Sequence, residues 1–599
     1  MPSSSTAAAG GTAQAQFDEA LGLHQSGDLA AAQAAYQRLL EANPEYVDAM
    51  TNLAILYLQQ GLFEEAVRLA ETSLALDAEQ PNAYYIKGNA LRQLNRFAEA
   101  LTSYEEAIVR APEVANYFAD RGEVLFFLNR LDEALTSYEA AIALDADNPQ
   151  YYCDRGVVFF YLRRFEEALA YFDCALALNP DFADAHNNRG NALRSLRRFE
   201  EALASYKRAL ELEPESSDSC ANHGNILRDL GQFEEAVAAY DRAIELNPNN
   251  AEAHSNRGVT LVGMQRFDDA VAAYDRAIAL HPGHGGAYWN RALLHLLRGE
   301  YEKGWRLYEW RWKSANFAPL VRNFTQPLWL GMGSLTGKTI FIHLEQGAGD
   351  FIQFARYIPM LEARGAKVIL ETFPELVAVM QTLSPTVTVI ARGTTPPAFD
   401  FHCPLMSLPL AFETTLETLP ATVPYLRADP VKKAAWEKKL GPKTALRVGL
   451  VWSGTRRHGN DHLRSIPLAL LKPLFRFPVE FHALQREVRT EDQAVLPWLS
   501  HLTLHAADTL ADFSDTAALI DQMDLVISVD TSVAHLAGAM GKPLWVLVPY
   551  APDFRWMLDR EDSPWYPTAK LFRQQKFGDW EEVIGRVYRA LGQHANIHG

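Results

Sequence analysis

Three short stretches in the second half of this chain carry residue types that could hold a phosphate and move a proton. The longest, Asp524–Val548, reads DLVISVDTSVAHLAGAMGKPLWVLV. An apolar strand ends at Asp530, and a helix starts at once with Thr531 or Ser532 at its N-cap. Free N–H groups and the positive end of the helix dipole make such a start a phosphate site. His535 lies one turn in and can face the same anion, although a plain capping turn also accounts for these letters. The second stretch, Trp452–Pro467, places Ser453 and Gly454 after a strand and then gathers Arg456, Arg457, His458, His462 and Arg464. Such a cluster can stabilise a departing diphosphate, with Arg464 favoured because it leads directly into the next helix; a solvated loop is the alternative. Gln485 and Glu487, just past the run Val479–Leu484, are placed to touch a ribose or base. The third stretch is His343–Pro359. Gly347 and Gly349 permit a tight turn that sets Asp350 at the lip of a sheet. A carboxylate there can take a proton, or simply stabilise a helix start, or both.

The elements that position these residues are short apolar runs alternating with helical segments. Thr339–Leu344, Lys367–Leu370 and Val387–Ile390 read as strands of a first lobe. Arg447–Trp452, Val479–Leu484, Leu525–Asp530 and Leu544–Pro549 read as strands of a second. This spacing implies parallel sheets built from βαβ units, with a cleft between the lobes at the strand C-terminal ends. Residues 337–431 form the expected first lobe, 432–444 the linker, and 445–599 the second lobe with a C-terminal helix. Two look-alikes fail. GSLTGKT at Gly333–Thr339 has Met332 where a P-loop needs its first glycine, and it precedes a strand. Gly347–Asp350 lacks the third glycine of a dinucleotide fingerprint. The second half has no Asp-x-Asp, which argues against an obligatory metal and leaves Arg and a helix N-terminus to neutralise a diphosphate.

The first half has a different rhythm. A small residue returns every 34 positions, from Ala32 through Ala66, Ala100, Ala134, Ala168, Ala202, Ala236 and Ala270 to Gly304. An aromatic follows four later in most units, glycine stands twelve before the alanine in six of them, and proline closes six. Gly190 and Ala202 let two antiparallel helices approach, Leu193, Tyr206 and Leu210 fill the gap, and Pro214 stops the second helix. Nine units fill residues 13–318, after a Ser/Ala/Gly-rich stretch, 1–12, expected to be a disordered tail. The ninth is irregular, and its Trp305, Trp310 and Trp312 suggest a joint; 319–336 is the connector.

The 34-residue pattern resembles the tetratricopeptide repeat, which stacks into an all-α superhelix. Asn52, Asn188, Asn222, Asn256 and Asn290 share one repeat position, with Asp120 and Asp154 in two gaps and Ile86 breaking the series. This resembles the asparagine ladder of O-linked N-acetylglucosamine transferase, which implies a groove for an extended protein acceptor; local hydrogen bonding on the helix surface is the alternative. The second half resembles family 9 glycosyltransferases, the group containing the heptosyltransferases. That resemblance implies a GT-B fold, two Rossmann-like lobes, and a sugar moved with inversion from a nucleotide-diphosphate donor. It assigns the general base to Asp350, a basic diphosphate residue to Arg464, and the nucleotide-sugar segment to Asp530, Thr531, Ser532 and His535. The nucleotide-sugar is then a co-substrate, and no cofactor or metal is expected. A transferase for a lipid-linked or cell-envelope glycan, and an inactive interaction scaffold, remain as rivals.

The net charge of −18 disfavours a nucleic-acid partner, since nothing offers a broad basic surface. Cys153, Cys174, Cys220 and Cys403 show no metal-ligand spacing; the three in the repeats are expected to be small buried thiols, in a reducing, cytoplasmic setting. No apolar run is long enough for a membrane span.

Overall fold

A computed structural model describes residues 5–315, 317–456, 461–499 and 501–595. Arg457 and His458 of the basic loop, and residues 1–4 of the expected tail, lie outside the described residues. The chain divides into two compact units, Met1–Leu246 and Asn247–Gly599.

The first unit is a run of paired helices, from Ser5–Gln25 with Leu29–Ala42 to Ser217–Asp229 with Phe233–Leu246. The first helix already begins at Ser5, inside the stretch expected as a disordered tail, where an alanine-rich sequence favours helix. The seven alanines of the ladder in this unit are fully buried. The glycine rule has a steric cause: a Cβ on Gly190 would lie 2.6 Å from Cε1 of Tyr206, and one on Gly156 2.6 Å from Cε1 of Phe172. Each aromatic thus lies flat against the facing helix where no side chain intervenes. Leu193 and Tyr206 are buried as expected, whereas Leu210 is only half-buried. Helix pairs turn at a left-handed residue, Gly27, Gly61 and Gly231 in three pairs but Asn95, Asn129, Arg163 and Arg197 in four others. Cys153 and Cys220 are buried, but Cys174 is exposed, because it falls on the outer side of Phe165–Leu178.

The second unit holds the last repeats and both α/β lobes. Its final repeat pairs Gly285–Leu297 with a helix cut to Tyr301–Tyr308, continued by a 3-10 turn, Glu309–Lys313. Trp305 is buried and meets Phe354 and Phe554 edge-on, with ring centroids 5.9 and 5.8 Å away. Arg311, with no exposed surface, donates to Glu309 (2.6 Å), Glu345 (2.8 Å) and Ser407 (2.8 Å). Of the three tryptophans, Trp310 instead stacks on Tyr288 at 3.8 Å.

The first lobe is a parallel sheet of order β3-β2-β1-β4, built from β1 (Thr339–His343), β2 (Lys367–Thr372), β3 (Thr388–Ala391) and β4 (Phe401–Pro404). The second is a parallel sheet of order β10-β9-β8-β5-β6-β7. Its strands are β5 (Arg447–Val451), β6 (Glu480–Ala483), β7 (Leu502–Thr503), β8 (Leu525–Val529), β9 (Leu544–Val548) and β10 (Ala569–Arg573). The central strands β5, β8 and β9 are buried along their length, which is why they read as unbroken apolar runs. Helix Pro430–Leu440 occupies most of the expected linker.

Candidate functional site

The phosphate-type stretch folds as its letters suggest. β8 ends at Val529, and Thr531, in extended backbone, is the N-cap of helix Ser532–Ala539. Its side chain does not cap; the hydroxyl instead lies 3.2 Å from that of Ser528. The first turn therefore keeps its N–H groups free of a side-chain cap, which is the state an anion site requires. Asp530, its side chain 14% exposed, lies with Oδ1 3.6 Å from Nε2 of His535. Burial would push this carboxyl up, but His535, Arg464 and Arg555 outweigh it and hold Asp530 down at about 2. The His535 ring is fixed by a 3.0 Å contact between Nδ1 and the Tyr566 hydroxyl and stacks over Trp556 at 5.6 Å.

Arg464 donates from Nη1 to the Asp530 main-chain oxygen at 2.8 Å, and its buried Nε has no partner among the described residues. Gly454 leaves room for Arg464 and Asp461: a Cβ there would lie 2.9 Å from both Arg464 Nη2 and Asp461 Oδ1 and would displace them. The loop around it is locked. Gly454 N donates to Ser465 Oγ (3.1 Å), Ser465 to Asp461 (2.9 Å), and Arg489 to the Gly454 oxygen (3.0 Å). Other sequence candidates fit less well. Gln485 is engaged by the residues that follow β5 and by its own loop, accepting from Trp452 N (3.0 Å) and donating to Ser453 Oγ (3.2 Å) and the Glu487 oxygen (2.8 Å). Arg456 is exposed and paired with Glu491 at 2.5 Å.

Asp350 sits on helix Ala348–Phe354, with Oδ2 accepting from Gly347 N at 3.0 Å. Its Oδ1 accepts from Arg555, and its side chain is 24% exposed. Gly349 brings this helix against the second lobe: a Cβ there would lie 3.0 Å from Cδ2 of His535 and 3.5 Å from the Ser532 Cα. The helix that carries Asp350 thus packs against the phosphate-type helix start. Arg555, on the 3-10 turn Phe554–Trp556, was not among the sequence candidates. It also donates to Gln353 and to Asp553 (2.6 Å), and although burial opposes its charge, Asp553 and Asp350 outweigh that and keep it firmly protonated. Nothing local marks it, because its partner Asp350 lies 205 positions away.

The repeat-borne asparagines are half-buried. Three are partly engaged by the scaffold: Asn52 donates to the Asp48 oxygen (2.9 Å), Asn188 to Cys153 Sγ (3.7 Å), and Asn222 to Asn187 (3.1 Å). In the second unit, Asn256 and Asn290 occupy the same position of their repeats, on helices Ala251–Gly263 and Gly285–Leu297. Among the described residues, no group of three or more His, Cys, Asp or Glu is disposed to hold a metal ion, and no helix is long and apolar enough to cross a membrane.

Comparison with known proteins accords with both halves. Tetratricopeptide-repeat profiles match residues 23–90, 81–114, 122–162, 153–217, 224–265 and 256–304. The profile of glycosyltransferase family 9 (heptosyltransferase) matches residues 509–564, the stretch holding Asp530, Thr531, Ser532, His535 and Arg555. Protein FlbA of Caulobacter vibrioides is 30% identical over 336 residues, 51% of this chain and 54% of FlbA. The chain thus matches about half the length of that curated relative. Solved repeat proteins resemble parts of it. YrrB, a TPR protein with an unusual peptide-binding site, is 27% identical over 32% of this chain and 98% of its own, with a TM-score of 0.27. A tetratricopeptide repeat protein from Parabacteroides merdae is 15% identical over 42% of this chain and 98% of its own, with a TM-score of 0.36. The chain carries tetratricopeptide repeats followed by an α/β region with a family 9 glycosyltransferase segment.

Proposed function

We propose that this chain moves a sugar, with inversion, from a nucleotide-diphosphate donor to a protein acceptor recruited by the repeats, on a GT-B fold. The observation that carries this reading is the packing of the helix that bears Asp350 against the uncapped start of Ser532–Ala539 at the Gly349–His535 contact. The diphosphate lies on the N–H groups of that helix, where Arg464, with its spare Nε, and His535 neutralise the charge that develops as it departs. Asp350 accepts the acceptor's proton at its exposed edge, while Gly347 N and Arg555 hold the carboxylate in place. The family 9 segment around His535 supports the reaction class, and the repeats support a protein partner. No divalent ion is needed, since Arg464 and the helix start supply the positive charge. One observation favours a second reading: Asp350 is already ion-paired with Arg555, as suits a half that binds donor without turning it over.

A thermal-shift screen against UDP-, GDP-, ADP-, CMP- and dTDP-sugars, followed by a transfer assay with EDTA present, tests the proposal. One donor is expected to raise the melting temperature, and Arg464→Gln to abolish that shift. Asp350→Asn is expected to keep the donor shift and lose about a hundredfold or more in transfer. No shift with any donor would overturn the reading, and undiminished transfer by Asp350→Asn would remove that residue as the base.

A further inference from the structure

Within the first unit, Tyr85, Asp120, Phe126, Tyr138, Tyr151 and Asp154 are among the residues around a concavity of about 540 Å³. Two of the ladder positions that carry asparagine elsewhere carry aspartate here, and a third carboxylate, Glu123, joins them. Arg92 pairs with Glu123 and, at 3.8 Å, more loosely with Asp120, to which Tyr85 also donates at 2.5 Å. Asp154 has only the Gln150 amide, at 2.8 Å, and no cation. Burial, with Asp120 and Asp184 adding to it against the Gln150 bond, pushes its carboxyl up to about 6.

Tyr138 supplies an independent sign of a missing ligand. In three sister repeats the tyrosine hydroxyl at this position donates to an asparagine of its own repeat: Tyr104 to Asn89 (2.6 Å), Tyr206 to Asn191 (2.8 Å), Tyr240 to Asn225 (2.8 Å). In this repeat Glu123 replaces that asparagine and turns to Arg92 instead. Tyr138 is only 3% exposed and lines the concavity, and among the described residues its hydroxyl has no hydrogen-bond partner. That hydrogen bond is left open to a group entering the concavity.

We infer that this concavity takes one arginine or lysine side chain of an extended protein segment, its cation between Asp154, Asp120 and the Tyr138 hydroxyl and its stem along Phe126 and Tyr151. An arginine suits it best, because its planar fork can reach several acceptors at once. The protein partner assumed here is that of the proposed function, but the binding is separable from sugar transfer.

The test is fluorescence anisotropy on the full chain with labelled Gly/Ser dodecapeptides carrying a central Leu-Arg-Phe, or the same peptide with Gln or Glu for Arg. The arginine peptide is expected to bind at least about tenfold tighter than the glutamine one, the glutamate peptide weakest. Asp154→Asn and Tyr138→Phe, each verified as folded by circular dichroism and melting, are each expected to remove most of that preference. Equal binding of the three peptides, or an arginine preference intact in both variants, would overturn the inference. So would calorimetric binding of Ca²⁺ or Mn²⁺ that the arginine peptide does not displace. Arginine-selective binding in a chain that never transfers sugar would leave this inference standing and sink the enzymatic one.

Discussion

Replacing Arg555 with methionine removes the guanidinium that ties the Asp350 carboxylate to the second lobe. The guanidinium side chain is 8% exposed and makes three side-chain contacts: Asp350 and Gln353 on the first lobe, Asp553 on its own. Methionine fills similar volume but leaves Asp350 and Asp553 facing each other without a cation. Breaking a buried pair by removing one partner costs about 3–5 kcal/mol. Here Asp350 is 24% and Asp553 35% exposed, and Asp350 keeps the Gly347 N–H, so water recovers part of the loss. We expect about 2–3 kcal/mol, read as a drop of several degrees in the melting transition of the second unit. Asp350→Asn in the same chain removes the stranded charge, so Arg555→Met/Asp350→Asn should be more stable than the sum of its parts by about 1–2 kcal/mol. Differential scanning calorimetry of wild type, both single variants and the double variant closes the cycle. Additive losses, or an unchanged transition in Arg555→Met, would refute the reasoning, because both require that the pair contributes nothing.

Two further outcomes follow from particular residues. Gly190→Ala should destabilise the first unit by about 1–3 kcal/mol in urea unfolding, because its new methyl would lie 2.6 Å from a fully buried Tyr206 that has nowhere to move. His343 is 4% exposed, and burial, with Arg322, His402 and Arg311 adding to it, depresses it to about 3. It is neutral when folded and takes a proton more readily when unfolded, so its contribution is full above about pH 6.5 and is lost as pH falls toward 3, at about 1.4 kcal/mol per unit. His343→Gln should flatten that limb of stability against pH; an unchanged slope would show that His343 is not its source.

Much of this protein was determined locally and was legible in sequence. The 34-residue spacing of Gly190, Ala202, Tyr206 and Pro214 specifies a helical pair because every contact it needs lies within one repeat or the next. The buried strands β5, β8 and β9 announced themselves as continuous apolar runs, and the Asp530–Ser532 junction as a strand passing into a helix. The tail was misread because an alanine-rich stretch supports helix as readily as disorder. Strand β7 was not foreseen because it has two residues, β4 because His402 and Pro404 break its apolar run, and β10 because Lys570 interrupts its own; they pair with β6, β1 and β9. The electrostatics of the cleft belonged to tertiary structure alone. Arg555 reaches Asp350 across 205 residues and Arg311 reaches Ser407 across 96, and neither partner constrains the other's neighbours in sequence. The period also could not say that Tyr138 would lack the partner that Tyr104, Tyr206 and Tyr240 have, since that depends on where Glu123 turns once Arg92 stands beside it. Local sequence chose the elements; only folding decided which charges would meet, because a buried ion pair exists only where the chain has already excluded water.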